Sequence, residues 1–190
     1  MSLSAIALCS RALIKIGAEP LSSFEEGTAE SLIAASLFPT VRDGLLSSYP
    51  WSFATAQRVL KHLAAQPVAD YAYAYQLPPD FLRALSAGSG ARGRGLPYRI
   101  LGGRLHSDAE EVVLSYIFRP GEADFPPFFA QALILRLAAE FCLPITESTS
   151  RAEALTKLAE EETRRARLVD SQQDLPERFE DFSLVGARRS

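Results

Sequence analysis

From Phe125 to Leu143 the chain is apolar apart from Gln131, Arg136 and Glu140. Within Phe128–Leu143, Arg136 and Glu140 lie one helical turn apart and make a single narrow polar stripe. A helix so nearly apolar all round has to be surrounded by other elements, so the spacing predicts the central helix of a bundle. The run falls short of the roughly 20 clean residues that cross a bilayer, so a soluble chain is expected. At 190 residues, one chain buries about 70% of its unfolded surface, enough for one sizeable core with a small appended subdomain.

Partners for that helix are legible on either side. Ile6, Cys9, Leu13 and Ile16 keep three- and four-residue spacing before Gly17 and Pro20, which predicts a helix over 4–16. Thr28 is an N-cap for a second helix running toward Ser48, with Ala34, Phe38, Val41 and Leu45 as its stripe and Pro39 inside it. After Tyr49, the segment beginning PWSFATAQRVL holds Phe53, Ala56, Leu60 and, just beyond it, Leu63 at helical spacing and reads as a short helix. Ser150 with Glu153 reads as a capping box for a last helix to about Asp170, with small inward residues at Ala152, Ala159 and Ala166.

The middle of the chain changes period. Tyr71, Tyr73 and Tyr75 alternate with smaller or polar residues, LPPD at 77–80 turns the chain, and Ser86–Pro97 reads as a flexible, positively charged loop. Arg99–Leu105, with Gly102 and Gly103, reads as a hairpin, and Val112–Phe118 is the most β-rich stretch. The expected fold class is therefore α+β, mainly α: a helical bundle with a small antiparallel β insert and an extended C-terminal tail. The expected divisions are 1–66 for the N-terminal helices, 67–120 for the insert with its Gly/Arg loop, 121–170 for the C-terminal helices and 171–190 for the tail.

Charge and chemistry narrow the function. Net charge is -3, which argues against a dedicated phosphate-wrapping protein, yet residues 83–104 hold five arginines and no acid while 120–170 hold nine acids against six bases. Opposite ends of the molecule should differ electrostatically. His62 and His106 are not spaced as ligands, Cys9 and Cys142 form no CxxC pair, and no nucleophile or nucleotide motif is present. No catalytic, metal or cofactor residue is assigned, and an enzyme is not expected. Leu175, Phe179, Phe182, Leu184 and Val185 are apolar residues in a non-periodic tail and read as a docking segment, while Arg92 and Arg94 are candidates for contact with DNA or with another subunit.

Several segments taken in order resemble a family. ALCSRALIKIGAEPLSSFEEGTAES, LFPTVRDGLLSSYPWSFATA, YAYAYQLPPDFLR, VVLSYIF and FPPFFAQALILRLAAEFCLPIT are similar to the head-to-tail adaptor (connector) proteins of tailed bacteriophages, the tail tubular protein A type, also found in phage-like gene transfer agents. The resemblance covers residues 3 to about 170. It implies a structural, non-enzymatic virion protein, assembled in the bacterial cytoplasm, that forms a twelve-subunit ring in the particle neck. Its partners would be the portal protein above, a stopper or tail protein below, and DNA passing through the channel without sequence recognition, with no membrane. On this reading the apolar tail residues bind the portal, and Arg92 and Arg94 face the channel or the next subunit. The alternative is a helical DNA-binding packaging or regulatory protein that uses the Arg-rich loop.

Overall fold

In the computed structural model, residues 3–65, 67–90 and 92–173 are described. Helix α1 spans Ala5–Ile16; the Ser4 hydroxyl accepts from the Ala7 amide at 3.2 Å and Gly17, at φ +80°, ends it. Helix α2 spans Ala29–Ser47 with Thr28 as its cap, and runs through Pro39. Helix α3, Pro127–Thr146, packs against α1, α2 and α4 (Thr149–Ser171). It reaches the length and hydropathy of a membrane span, more than the sequence suggested, but ten of its residues are buried within the protein. Leu8, Leu13 and Ile16, Phe38 and Leu46, and Phe129, Leu133, Leu137 and Phe141 fill the core, and Ala159 and Ala166 bring α4 close. The cap of α4 is Ser148, whose hydroxyl accepts from the Arg151 amide, two residues before the expected Ser150.

The insert is larger than expected and holds two sheets. Strands β1 (Thr55–Val59), β4 (Phe81–Gly88) and β7 (Val113–Phe118) form one antiparallel sheet in the order β1-β7-β4. Strands β2 (Lys61–His62), β3 (Tyr73–Gln76), β5 (Arg99–Leu101) and β6 (Arg104–Ser107) form the other in the order β2-β3-β6-β5. The helix expected over PWSFATAQRVL is instead a 3-10 turn, Ser52–Ala54, followed by β1, so strands begin inside the 1–66 segment. Five consecutive pairings of β1 with β7, from Thr55–Ile117 to Val59–Val113, outweigh a helical spacing that had no long-range partner. The β5–β6 hairpin across Gly102 and Gly103 forms as the sequence indicates.

Strand β4 follows the LPPD turn directly and takes Ser86–Gly88 from the expected loop, and its register explains why the sequence does not show it. Two irregularities, between Phe81 and Arg83 and between Ala84 and Ser86, each insert a residue. Phe81, Ala84 and Ala87 therefore face the second sheet, while Leu82 and Leu85 join the helical core. The period is three instead of two. Between the sheets lie Leu60, Tyr75, Leu105, Leu114 and Tyr116, and Ile117, on the opposite face of β7, belongs to the helical core. The first sheet is thus the middle layer between helices and the second sheet.

Two polar joints fix the insert to the bundle. The Asp43 carboxylate of α2 accepts from Arg119, at 2.6 Å from Nη2, and from Arg42 at 2.9 Å, while Arg42 also donates to Glu122 at 2.8 Å. Burial would raise the Asp43 carboxyl, but the hydrogen bonds and charges of Arg119 and Arg42 outweigh it and hold the group below its ordinary value. At the other joint, buried Asp170, near the end of α4, accepts from the Ser52 amide at 3.0 Å and hydroxyl at 2.7 Å, closing the first turn after Trp51.

Candidate interaction surfaces

Arginines that cluster in sequence are divided by the fold. Leu114 and Tyr116 face the second sheet, so Ser115 between them points the opposite way. Its row neighbours across the sheet are Gln57 and Ser86. Onto this polar row folds the 88–95 loop: the Gly93 carbonyl accepts from the Ser86 hydroxyl at 2.8 Å and the Ser115 hydroxyl at 3.3 Å. The segment read as a flexible loop is thus tied to the sheet. Two of its glycines are there for space, because a Cβ on Gly88 would sit 1.9 Å from the Arg92 carbonyl oxygen and one on Gly93 2.6 Å from Gln57 Nε2. Arg92 and Arg94 are exposed at this loop, on the face of the middle sheet away from the second sheet.

The second sheet carries the other arginines outward. Leu105 points to the inter-sheet core, so Arg104 and His106 point away from it. Arg99 lies opposite His106, and Leu101 opposite Arg104. Arg99, Arg104 and Leu101 are exposed, and Tyr71 meets the His106 ring edge-on at a centroid distance of 6.3 Å. His106 Nδ1 is buried with no hydrogen-bond partner among the described residues. This face was missed as a site because hairpin signals in RILGGRLHS say nothing about which side is covered; the alternation of Arg104, Leu105 and His106 was the available clue.

A third surface lies on the bundle. Residues of α2 (Leu37, Val41) and of its cap (Ser48), α3 (Arg136, Glu140) and α4 (Arg164) line a groove of about 800 Å³. The Arg136–Glu140 stripe, an ion pair at 3.1 Å, is its floor, which is where the polar flank of the central helix meets solvent. At one end Arg167 donates to the Ser48 hydroxyl at 3.1 Å and lies over the Tyr49 ring.

Chemistry-bearing groups are dispersed. Among the described residues no group of three or more His, Cys, Asp or Glu is placed to hold a metal ion. Cys9 and Cys142 are both buried, and burial pushes the Cys9 thiol up to about 12. His62, on β2, packs against Tyr73 and Tyr75. Leu175, Phe179, Phe182, Leu184 and Val185 lie outside the described residues. No known protein-family model matches the chain, and no curated protein matches it.

Proposed function

We propose that the chain is a structural subunit of a ring of the head-to-tail adaptor type, seated between a portal and a stopper or tail protein and surrounding a DNA exit channel. One observation carries this reading: an arginine-faced β insert, Arg83, Arg92, Arg94, Arg99 and Arg104 all exposed, is held at a fixed place on an apolar-cored bundle by the Arg42–Asp43–Arg119 joint. Such a body has different surfaces at its two ends, and head-to-tail packing into a ring needs that difference. The order of adaptor-like segments along the sequence supports the same reading.

Electron microscopy of the full-length protein mixed with the portal ring of its particle is the test. The expected result is a ring of twelve copies stacked under the portal; portals that stay bare under conditions where both proteins are folded would refute it. Truncation after Gln173, which keeps the Asp170–Ser52 joint, tests the tail. The shortened chain should melt normally and fail to bind portal rings.

A packaging or regulatory protein that binds DNA through its arginines is the second reading, favoured by the exposure of all five. Arg92 and Arg94 stand on the other side of the insert from Arg99 and Arg104, an arrangement unsuited to one continuous duplex track. Duplex affinity that falls steeply with salt in the isolated protein would favour this reading over the ring.

A further inference from the structure

On the outer face of the second sheet Tyr71 packs on His106, and beside it Arg99 and Arg104 flank Leu101, which is 41% exposed. The nearest acids in sequence, Asp108, Glu110 and Glu111, lie on the turn after β6, and Asp108 already accepts from the Ala72 amide at 2.9 Å. We propose that this face docks a second copy of the chain, through the acidic connection between that copy's α1 and α2. The proposal rests on the ring reading and names its subunit contact.

Charge complementarity identifies the occupant. Between Lys15 and Arg42 the chain has four carboxylates, Glu19, Glu25, Glu26 and Glu30, and no base. Glu19, Glu25 and Glu26 are exposed. The Glu26 carboxylate accepts from the Ser22 hydroxyl and from the Ser22 and Ser23 amides, the last at 3.0 Å. Hydrogen bonds to Ser22 hold it below its ordinary value, so the loop presents fixed negative charge at neutral pH. Of the bases nearby, Arg151 is engaged with the Ile16 carbonyl at 2.8 Å. One turn into α2, Leu32 is 63% exposed beside this loop and offers an apolar counterpart to Leu101.

The two surfaces do not neutralise each other within one subunit. The acidic loop lies against the bundle, where its Phe24 meets Phe38 of α2 at 6.4 Å, whereas Arg99 and Arg104 stand on the outer face of the second sheet, with the middle sheet between that sheet and the helices. The spacing of the stacked sheets alone puts about 10 Å between the bundle side and that face, more than the Debye length of about 8 Å. Unlike patches held on different layers of one body can satisfy each other between copies, and the contact they make is head-to-tail.

Charge reversal with cross-rescue tests this. In one variant Arg99→Glu is combined with Arg104→Glu; in the other, Glu19→Arg with Glu25→Arg. Both are checked for wild-type melting curves, then followed by sedimentation velocity in about 20 mM salt. Wild type should associate, and each variant alone should associate at least tenfold more weakly. An equimolar mixture should recover association, because each reversed surface then faces its complement. Variants that associate like wild type, or a mixture that stays monomeric, would overturn the contact. A monomeric wild type at low salt would also overturn it. The ring itself stands or falls separately, on the portal micrographs.

Discussion

Trp51 shows how one side chain organises a corner. It is fully buried, donates to the Leu45 carbonyl at 3.1 Å, meets Phe129 edge-on at 5.1 Å and stacks near Phe128. Phe53 reaches the same Phe129 at 4.9 Å, so the pair clamps the end of α2 onto α3. Trp51→Ala should cost about 3–5 kcal/mol in a urea melt, the range for emptying a buried aromatic site. This corner was legible because a Pro-Trp-x-Phe run after an apolar helix has few places to go. Asp43 was not, because its partner Arg119 lies 76 residues away in sequence. Since its folded pKa is depressed, its contribution is complete above the ordinary carboxyl value and is lost as pH falls through the folded one. Asp43→Asn should therefore cost about 1 kcal/mol at pH 7, and the gap from wild type should close below about pH 4. Both thiols should resist an aromatic disulfide reagent until the chain unfolds, since both are buried and ionisation of Cys9 is suppressed.

At the scale of elements, the four long helices are legible in the sequence, while the expected short helix after Pro50 is a 3-10 turn and a strand, and the strands are legible unevenly. The periodicity of α1, α2 and α3 is self-contained, so Thr28, Gly17 and the apolar runs sufficed. β1 and β4 depend on β7, and nothing local to FLRALSAG reveals a strand whose two irregularities turn the expected period of two into three. The 88–95 loop likewise depends on Ser86, Ser115 and Gln57, three polar residues that look unremarkable until they share a row. Substituting its glycines separates two kinds of crowding. Gly88→Ala drives a Cβ into backbone at Arg92 and should cost about 2–3 kcal/mol, whereas Gly93→Ala meets only side chains, the Gln57 amide and the Ser115 hydroxyl, and should cost less, about 1 kcal/mol. Denaturant midpoints of the two variants give the comparison directly. Between α3 and α4, Glu147 adopts φ +52°, a conformation that costs a side-chain-bearing residue about 1–2 kcal/mol. Glu147→Gly should raise the melting midpoint.

Over the whole molecule, two hydrophobic cores share their structural members. β7 gives Leu114 and Tyr116 to one core and Ile117 to the other, and β4 alternates between them with Phe81, Leu82, Ala84 and Leu85. Neither core can open without stripping the other, so a single calorimetric transition is expected, with equal calorimetric and van't Hoff enthalpies; two resolved transitions would contradict that coupling. The position of Asp170 has a mechanical consequence. Its carboxylate grips Ser52 next to the Trp51 corner, so tension applied to the chain beyond Gln173 is delivered to the junction of helices and sheets before it can unwind α4. Whatever pulls on that end of the chain pulls on the keystone.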